Sequence, residues 1–244
     1  MSVATGRIHS WDLSTGVDGP GTRFVLFLSG CPLRCLYCAN PDTWHMRDGR
    51  EVTVDEVMAE IEKYRSFITT AGGGVTITGG EPLLQPAFTG EVLRRCKEAG
   101  LHTALDTSGF LGARATDDLL ADTDLVLLDI KSFDIGTYRK LTGGRLAPTL
   151  SFATRLDRLG VAMWIRYVLV PGWTDDPSSV DALADFVAGL GSAERVDVLP
   201  FHKLGASKYD ALNIPFPLRD TPSPSPALTD SVRERFRERG VAAY

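Results

Sequence analysis

The sequence lacks any long apolar segment. None of its 244 residues belongs to a run of the ~20 apolar side chains that a membrane-spanning helix needs, and Met1 to Asp12 lack the basic start and apolar core of a secretory signal. A surplus of positive charge is also missing, because 26 basic residues face 31 acidic ones and the net charge is −5. An acidic surface does not attract nucleic acid or anionic membranes. We therefore expect a soluble cytoplasmic protein that recognises its partner locally.

Cysteine is scarce, and its four copies are unevenly placed. Cys31, Cys35 and Cys38 lie within eight positions, whereas Cys96 stands alone in a helical pattern. Four cysteines could form two disulfides, but this grouping favours metal ligation in a reducing compartment. Cys96 is better explained as a small core residue.

Hydrophobic periodicity predicts an α/β fold. With 43% hydrophobic residues, the chain can bury roughly 70–75% of its unfolded surface, enough for a single domain over residues 1–244. Strands are predicted at 23–29, 75–78, 102–105, 125–130, 163–170 and 196–199. Helices are predicted at 54–67, 88–99, 134–141, 148–159 and 177–190. Strands that alternate with helices need crossover connections, so the sheet should be parallel, either open or curled into a partial barrel.

The predicted fold consists of a core of alternating strands and helices and a tail of different composition. The core is predicted over about residues 20–202, and the tail over 205–244. Thr53 and Glu56 form the sequence signature of a capping box before the first helix. Residues 215–226 are rich in proline and serine, which predicts an extended linker, and 231–239 predict a charged terminal helix.

The clustered cysteines directly follow the first predicted strand. A cubane iron–sulfur cluster usually takes four cysteines, so three leave one iron open to bind a ligand directly, as in catalytic metal sites. The alternative is structural zinc in an interaction module, where His45 would complete a tetrahedron with the three thiolates. Brown iron and sulfide, or colourless zinc, would distinguish the two.

Polar motifs follow the other predicted strands. Parallel α/β folds bind ligands at the carboxyl ends of their strands. The candidates near those ends are Gly79, Gly80, Glu81, Asp106, Thr107, Asp129, Ile130, Lys131 and His202, together with Arg166 inside the fifth predicted strand. Lys131 and Arg166 could balance carboxylates, and His202 could contact a ribose or adenine. The oxygens of Asp106, Thr107 and Asp129 suit a hard cation.

The spacing C-x3-C-x2-C, with a tyrosine before the third cysteine, resembles the radical S-adenosylmethionine (SAM) superfamily. From about residue 6 to residue 202 the chain further resembles the family that activates glycyl-radical enzymes. The segments that carry this resemblance are GRIHSWDLSTGVDGPGTRF, GCPLRCLYCANPDTW, GGGVTITGGEPLLQ, HTALDTSGF, DLVLLDIK, WIRYVLVPGW and LPFHKLG. One departure is Ala39, where the family often has histidine.

The resemblance implies a partial (β/α)6 TIM-like barrel of the radical SAM type. It implies a 4Fe–4S cluster on Cys31, Cys35 and Cys38, and a monovalent cation at Asp106, Thr107 and Asp129. SAM-binding residues are expected at Tyr37, Cys38, Ala39, Gly79, Gly80, Glu81, Asp129, Ile130, Lys131, Arg166 and His202. Asp18, in a DGPG segment that is also an ordinary turn, is the candidate contact to the substrate peptide.

The implied reaction is reductive cleavage of SAM to a 5′-deoxyadenosyl radical, which then takes a hydrogen from a glycine Cα. The implied partner is formate acetyltransferase, with a low-potential electron donor such as flavodoxin or ferredoxin, and the enzyme is expected to be a monomer. A different glycyl-radical enzyme or a small molecule remains the alternative substrate, because the cofactor motifs do not separate these.

Overall fold

Strands and helices alternate along most of the chain. A computed structural model describes residues 4–244, and this part contains eight strands and eight α-helices. The strands are β1 (Thr5–Thr15), β2 (Thr22–Leu28), β3 (Arg50–Thr53), β4 (Gly74–Gly79), β5 (His102–Thr107), β6 (Leu125–Asp129), β7 (Ala162–Leu169) and β8 (Ala193–Pro200). The helices are α1 (Val54–Thr70), α2 (Pro86–Glu98), α3 (Asp117–Ala121), α4 (Ile135–Thr142), α5 (Leu146–Leu159), α6 (Pro177–Ala188), α7 (Ala206–Ala211) and α8 (Pro226–Arg237).

The strands form an open sheet in the order β3-β1-β2-β4-β5-β6-β7-β8. β2 pairs with β4, β4 with β5, and β7 with β8 in parallel. Their connections contain helices because a parallel pair needs a crossover rather than a tight turn. The predicted α/β class and the six predicted strands are confirmed as β2 and β4 to β8, with ends that shift by a few residues.

Two compact units divide the chain. The first comprises Met1–Pro32, Thr43–Thr107 and Leu111–Leu127. The second comprises Leu33–Asp42, Ser108–Phe110 and Leu128–Tyr244. Strands β1 to β5 lie in the first unit, and β7 and β8 lie in the second. The single domain predicted from the sequence stays a prediction beside this division.

Strands β1 and β3 were not predicted, and the expectation of an all-parallel sheet was wrong for this edge. Both pair antiparallel, β1 with β2 and β3 with β1. Strand β1 is mostly accessible to solvent, and only Gly6 and Ile8 of its eleven residues are buried. β3 has four residues and buries only Val52. Neither strand therefore carries the clear apolar alternation by which a half-buried strand is recognised.

The helices were predicted with two omissions. Helix α1 begins with the predicted capping box, in which the Thr53 hydroxyl accepts from Glu56 N and the Glu56 carboxylate accepts from Thr53 N. Helices α3 and α7 were missed because five and six residues are too few to show a helical period. Among residues 4–244 no helix combines the length and the apolar character needed to cross a membrane.

The tail differs from its prediction in two respects. Helix α8 begins at Pro226, five residues before the predicted start, because Ser225 caps it and proline fits the first helical position. Residues 215–226 are not a simple extended linker. Phe216 and Leu218 are 6% and 3% exposed, and the Phe216 ring lies 4.8 Å from that of Tyr209. The segment is therefore packed rather than solvated.

A buried arginine ties together the amino-terminal ends of three parallel strands. Arg23 of β2 is fully buried and donates to the Val75 carbonyl and the Thr76 hydroxyl of β4 at 2.6 and 2.9 Å. Its Nη1 lies 3.1 Å from Nδ1 of His102, the first residue of β5. Because a guanidinium only donates, this contact requires an unprotonated Nδ1. Burial and the neighbouring Arg23 lower the pKa of His102.

This contact predicts a pH-dependent stability. The unfolded imidazole, with an ordinary pKa of about 6.5, takes up a proton that the folded one resists, so His102 stabilises the fold above pH 6.5 and loses that contribution below it. For a half-buried ring we expect a loss on the order of 1 kcal/mol between pH 7 and pH 5. Urea unfolding of metal-free protein would measure it. His102→Gln should flatten the pH slope relative to the wild type, whereas His9→Gln, at an exposed position, should not. Equal slopes in all three proteins would contradict the assignment.

Candidate active site

The first candidate cysteine is positioned by backbone hydrogen bonds of the first unit. Gly30 N donates to Thr43 O at 2.6 Å and Cys31 N donates to Trp44 O at 3.0 Å. Gly30 has a φ of +98°, where a side chain would be strained, and an added Cβ would lie 2.5 Å from the Met46 sulfur. The chain therefore leaves β2 in one defined direction, with Cys31 half-buried.

The other two cysteines lie on a turn of the second unit. Arg34 N donates to Thr142 O at 2.8 Å, and Leu36 N donates to Leu141 O at 2.9 Å, so the carboxyl end of α4 supports the turn. Cys38 N donates to Cys35 O at 3.1 Å and closes it. Both thiols are thus held on one short loop. The spacing of the cysteines predicts this loop, but nothing in the sequence indicates that the carboxyl end of α4 supports it.

The thiol chemistry fits a metal centre. Desolvation raises the pKa of Cys35 to about 12; Lys131 opposes the shift, whereas Cys38 and Asp129 add to it. A free thiol in this environment stays protonated, and a bound cation is what would convert it to the thiolate that ligates metal. The donor set is three sulfurs in eight positions, which fits a cubane with one open iron.

A single-ion site is not formed. Among residues 4–244 no three His, Cys, Asp or Glu side chains are grouped closely enough to hold one metal ion. The zinc tetrahedron of three thiolates and His45 stays an alternative prediction from the sequence. In a cubane each cysteine would bind a different iron of one cluster, so the three sulfurs would surround the cluster and stand farther apart than the ligands of a single ion.

The glycine pair after β4 is locked against the segment that leads to Cys31. Gly79 has a φ of +110°, and an added Cβ would lie 2.4 Å from the backbone of Leu28. An added Cβ at Gly80 would lie 2.3 Å from Gly30 O. Gly80 N donates to Leu28 O and Glu81 N donates to Gly30 O, both at 2.8 Å. Glycine is needed at both positions because backbone meets backbone.

The carboxylate of Glu81 is turned inward. Glu81 is 1% exposed and accepts from the Thr107 hydroxyl at 2.6 Å and from Leu83 N at 3.2 Å. In the same way the Asp106 carboxylate accepts from the Thr78 hydroxyl at 2.7 Å. The predicted ends of β4 and β5 are therefore brought together by side-chain hydrogen bonds within the first unit. The cation role of Asp106, Thr107 and Asp129 stays a prediction.

The second unit contributes a charged pair at the end of β6. Lys131 Nζ lies 2.9 Å from Asp129 Oδ2, and the two side chains are 12% and 21% exposed. Burial acts to lower the pKa of Lys131, but Asp129, Tyr37 and Cys35 outweigh it and raise this pKa well above its ordinary value. Lys131 is therefore a firmly charged ammonium. Ile130 N donates to Arg166 O at 3.1 Å, which ties this strand end to β7.

Tyr37 carries an unsatisfied group. Its hydroxyl is buried and has no hydrogen-bond partner among the described residues, and burial raises the pKa of Tyr37 well above its ordinary value. The ring faces the Lys131 ammonium at 5.7 Å from its centroid, a cation–π distance. An orphaned buried hydroxyl is rare in proteins, and an ordered water or a bound ligand is its usual partner.

The last two predicted residues lie next to different strands, His202 after β8 and Asp18 before β2. His202 is exposed just beyond β8, and its Nδ1 accepts from Leu204 N at 3.3 Å. Asp18 lies in the loop between β1 and β2, where its carbonyl accepts from the Thr76 hydroxyl at 2.6 Å. This loop is at the amino-terminal end of β2, whereas Cys31 follows the carboxyl end. The peptide-binding role of Asp18 stays a prediction.

A family model and curated relatives match this chain. The model described as the radical SAM superfamily matches residues 25–186. Pyruvate formate-lyase 1-activating enzyme of Escherichia coli strain K12 is 43% identical over 242 residues, which cover 98% of each chain. The pyruvate formate-lyase-activating enzyme of Clostridium pasteurianum is 45% identical over 218 residues, covering 89% of this chain and 91% of the relative.

Solved structures share the fold. A domain of a pyruvate-formate lyase-activating enzyme from Bacteroides vulgatus superposes with a TM-score of 0.60 at 26% identity, covering 70% of this chain and 98% of the other. A radical SAM methyltransferase from Sphaerobacter thermophilus superposes with a TM-score of 0.62 at 18% identity, covering 99% of this chain and 76% of the other. The second likeness concerns the fold alone.

Proposed function

Because the chain belongs to the radical SAM superfamily and, within it, to the pyruvate formate-lyase activating enzymes, we propose that it activates formate acetyltransferase by generating a glycyl radical on it. The observation that carries the proposal is the loop of three cysteines directly after β2, whose donor set leaves one iron of a cubane open. When bound, a 4Fe–4S cluster and SAM supply the electron and the 5′-deoxyadenosyl radical that removes hydrogen from the glycine Cα.

The residues of the first unit would hold the cofactor through backbone. The Glu81 carboxylate accepts from the Thr107 hydroxyl and Leu83 N and stays a proposed contact of SAM, beside the main-chain groups of Gly79 and Gly80. Two consecutive residues without Cβ let a ligand come close to those groups. We assign the methionine amino group of SAM to this turn.

The residues of the second unit would supply charge and a hydroxyl. Lys131, charged and only 12% exposed, can neutralise the SAM carboxylate, an interaction that low dielectric strengthens. The orphaned Tyr37 hydroxyl can donate to a cofactor atom. The backbone from Tyr37 to Ala39 and the exposed His202 complete the proposed contacts. Since Ala39 would act through its backbone, the family's more usual histidine is not needed.

The partner and the setting of the reaction extend the proposal. The substrate is a glycine loop of formate acetyltransferase, which has to leave its own protein to reach the cofactor, so binding is coupled to a rearrangement of the partner. The electron comes from a low-potential donor of the flavodoxin or ferredoxin type, and the enzyme acts as a monomer in the cytoplasm. No acid or base of this chain is required for the hydrogen transfer.

Anaerobic reconstitution tests the proposal. Protein loaded with iron and sulfide, reduced, and mixed with SAM and formate acetyltransferase should give a glycyl signal in electron paramagnetic resonance (EPR), together with 5′-deoxyadenosine. A target whose radical-bearing glycine is replaced by alanine should give no signal. Formation of 5′-deoxyadenosine without a glycyl radical on the intact target would instead point to another substrate.

A further inference from the structure

Helix α7 and its first flanking residue contact the segment that carries the third cysteine. Residues 38–40 belong to neither a helix nor a strand, so a regular hydrogen-bond ladder does not hold them. Cys38 N is used to close the turn onto Cys35, and the chain then runs through Ala39 and Asn40 to Asp42. Within the second unit the α7 region packs against this segment.

Lys208 joins Asn40, the last residue of this segment, to Asp42, two residues further on. Its Nζ lies 2.7 Å from the Asn40 side-chain oxygen and 3.1 Å from the Asp42 carboxylate. An exposed ion pair contributes little by itself, but here one ammonium uses two of its three donors to fix two points that are two residues apart. The first of these points is two residues from Cys38. Lys208 therefore restrains a loop rather than merely pairing a charge.

Gly205 restrains the same segment by close contact. It is buried, and its backbone has φ −76° and ψ −10°, which any residue adopts. Glycine is needed there for space, because an added Cβ would lie 2.9 Å from Ala39 Cα and 3.1 Å from Cys38 O. The helix start thus rests directly on the Cys38–Ala39 peptide.

Buried aromatic rings anchor the α7 region itself. Tyr209 is 1% exposed, and the Phe216 ring stands 4.8 Å from it and 6.4 Å from the ring of Phe201. Closely packed side chains have little freedom to move, so the α7 region holds the residues that it contacts in a defined position. Phe216 of the proline-rich tail therefore helps to hold α7 in place, which the composition of the tail does not indicate.

We propose that Lys208 and Gly205 are positioning residues of the cofactor site, which set the place of the Cys38–Asn40 segment and thereby the affinity for SAM. The inference rests on the proposed function, because it assigns Cys38 to the cluster and Ala39 to the cofactor. Neither Lys208 nor Gly205 touches the reacting atoms in this scheme. Their loss should weaken SAM binding while leaving cluster ligation intact, since all three thiols remain.

Substitutions of Lys208 test the inference on reconstituted protein. Lys208→Met should keep the wild-type iron and sulfide content but raise the dissociation constant for SAM about tenfold, a change typical of outer-shell substitutions. The SAM-induced change in the EPR spectrum of the reduced cluster would measure binding without formate acetyltransferase. Lys208→Arg, which can still bridge two acceptors, should recover most of the affinity. If Lys208→Met binds SAM like the wild type and loses only thermal stability, the residue is structural and the inference is wrong.

Two glycine-to-alanine substitutions test the contact of Gly205 with the Cys38–Ala39 peptide. One of them is a control for a general effect of alanine on folding. Gly205→Ala should weaken SAM binding several-fold, because its Cβ displaces the Cys38–Ala39 peptide. Gly189→Ala, at the glycine directly after α6 whose Cβ would meet nothing closer than 3.4 Å, should bind SAM normally. Equal affinities in the two alanine variants would overturn the role of Gly205. A wild type that takes up no cluster would overturn the proposed function and this inference together, whereas a normal wild type with unaffected variants overturns the inference alone.

Discussion

Cys35→Ala protein should assemble no stable 4Fe–4S cluster and should give no glycyl radical. Cys35 lies on the turn closed by Cys38 N, and its thiol is desolvated enough to raise its pKa to about 12. Removing it leaves two thiolates for a cluster that needs three, and no neighbouring cysteine replaces it, because Cys96 is buried in α2. We expect iron content and the glycyl EPR signal to fall on the order of 100-fold or more.

Cys96→Ala is the matched control for this result. Cys96 is fully buried, with its sulfur 3.8 Å from the Met58 sulfur, so it contributes packing and no ligand. Its loss should cost about 1 kcal/mol of unfolding free energy through the small cavity left behind, with iron content and radical yield unchanged. A Cys35→Ala protein that still holds a full cluster and activates its target would contradict ligation by three thiolates.

Gly80→Ala should be nearly as damaging, for a steric reason. The added Cβ would stand 2.3 Å from Gly30 O and 3.1 Å from Thr43 O, and Gly30 directly precedes Cys31. Relief of that clash has to move the backbone that leads to the cysteine. We expect a loss of about 1–3 kcal/mol in unfolding free energy from overpacking and a fall in SAM-dependent activity on the order of 100-fold, the size seen for misplacements of about 1 Å.

Urea unfolding, iron analysis and SAM titration would separate the two effects of Gly80→Ala. Gly90→Ala provides the comparison, because this glycine lies inside α2 and its Cβ would meet Leu119 at an ordinary 3.5 Å. There alanine should stabilise the protein by about 0.5–1 kcal/mol through its better helix propensity. A Gly80→Ala protein with wild-type stability and SAM affinity would show that the turn has room that the backbone distances do not indicate.

The features of the site that could be predicted depend on residues that are close together in the sequence. Cys31, Cys35 and Cys38 are recognisable because metal ligation imposes a spacing on a few consecutive residues. Strands β2, β4, β5 and β6 are recognisable because burial on both faces selects continuous apolar, β-branched runs, and β7 and β8 alternate between buried and less buried residues. Motifs such as Gly79–Gly80 could be assigned to one edge because parallel strands have all their carboxyl ends on the same side.

The unpredicted part depends on partners far apart in the chain. Lys208 and Asn40 are separated by 168 residues, and no local period marks either of them. The engagement of the Glu81 carboxylate by Thr107, the burial of Phe216 and the pairing of β1 with β3 are of the same kind. Each follows from which surfaces meet after the chain has folded.

The amino-acid sequence by itself therefore determined the chemistry of this protein: a thiol-rich loop after a strand, a glycine turn, and an acidic chain with 43% hydrophobic residues and no long apolar run. Only the tertiary structure decided how the loop is supported, which hydroxyls the carboxylates of Glu81 and Asp106 accept from, and how the tail is packed. The reason is physical, since ligand type and spacing act over a few residues, whereas packing and hydrogen-bond partners are chosen among all residues that folding brings together.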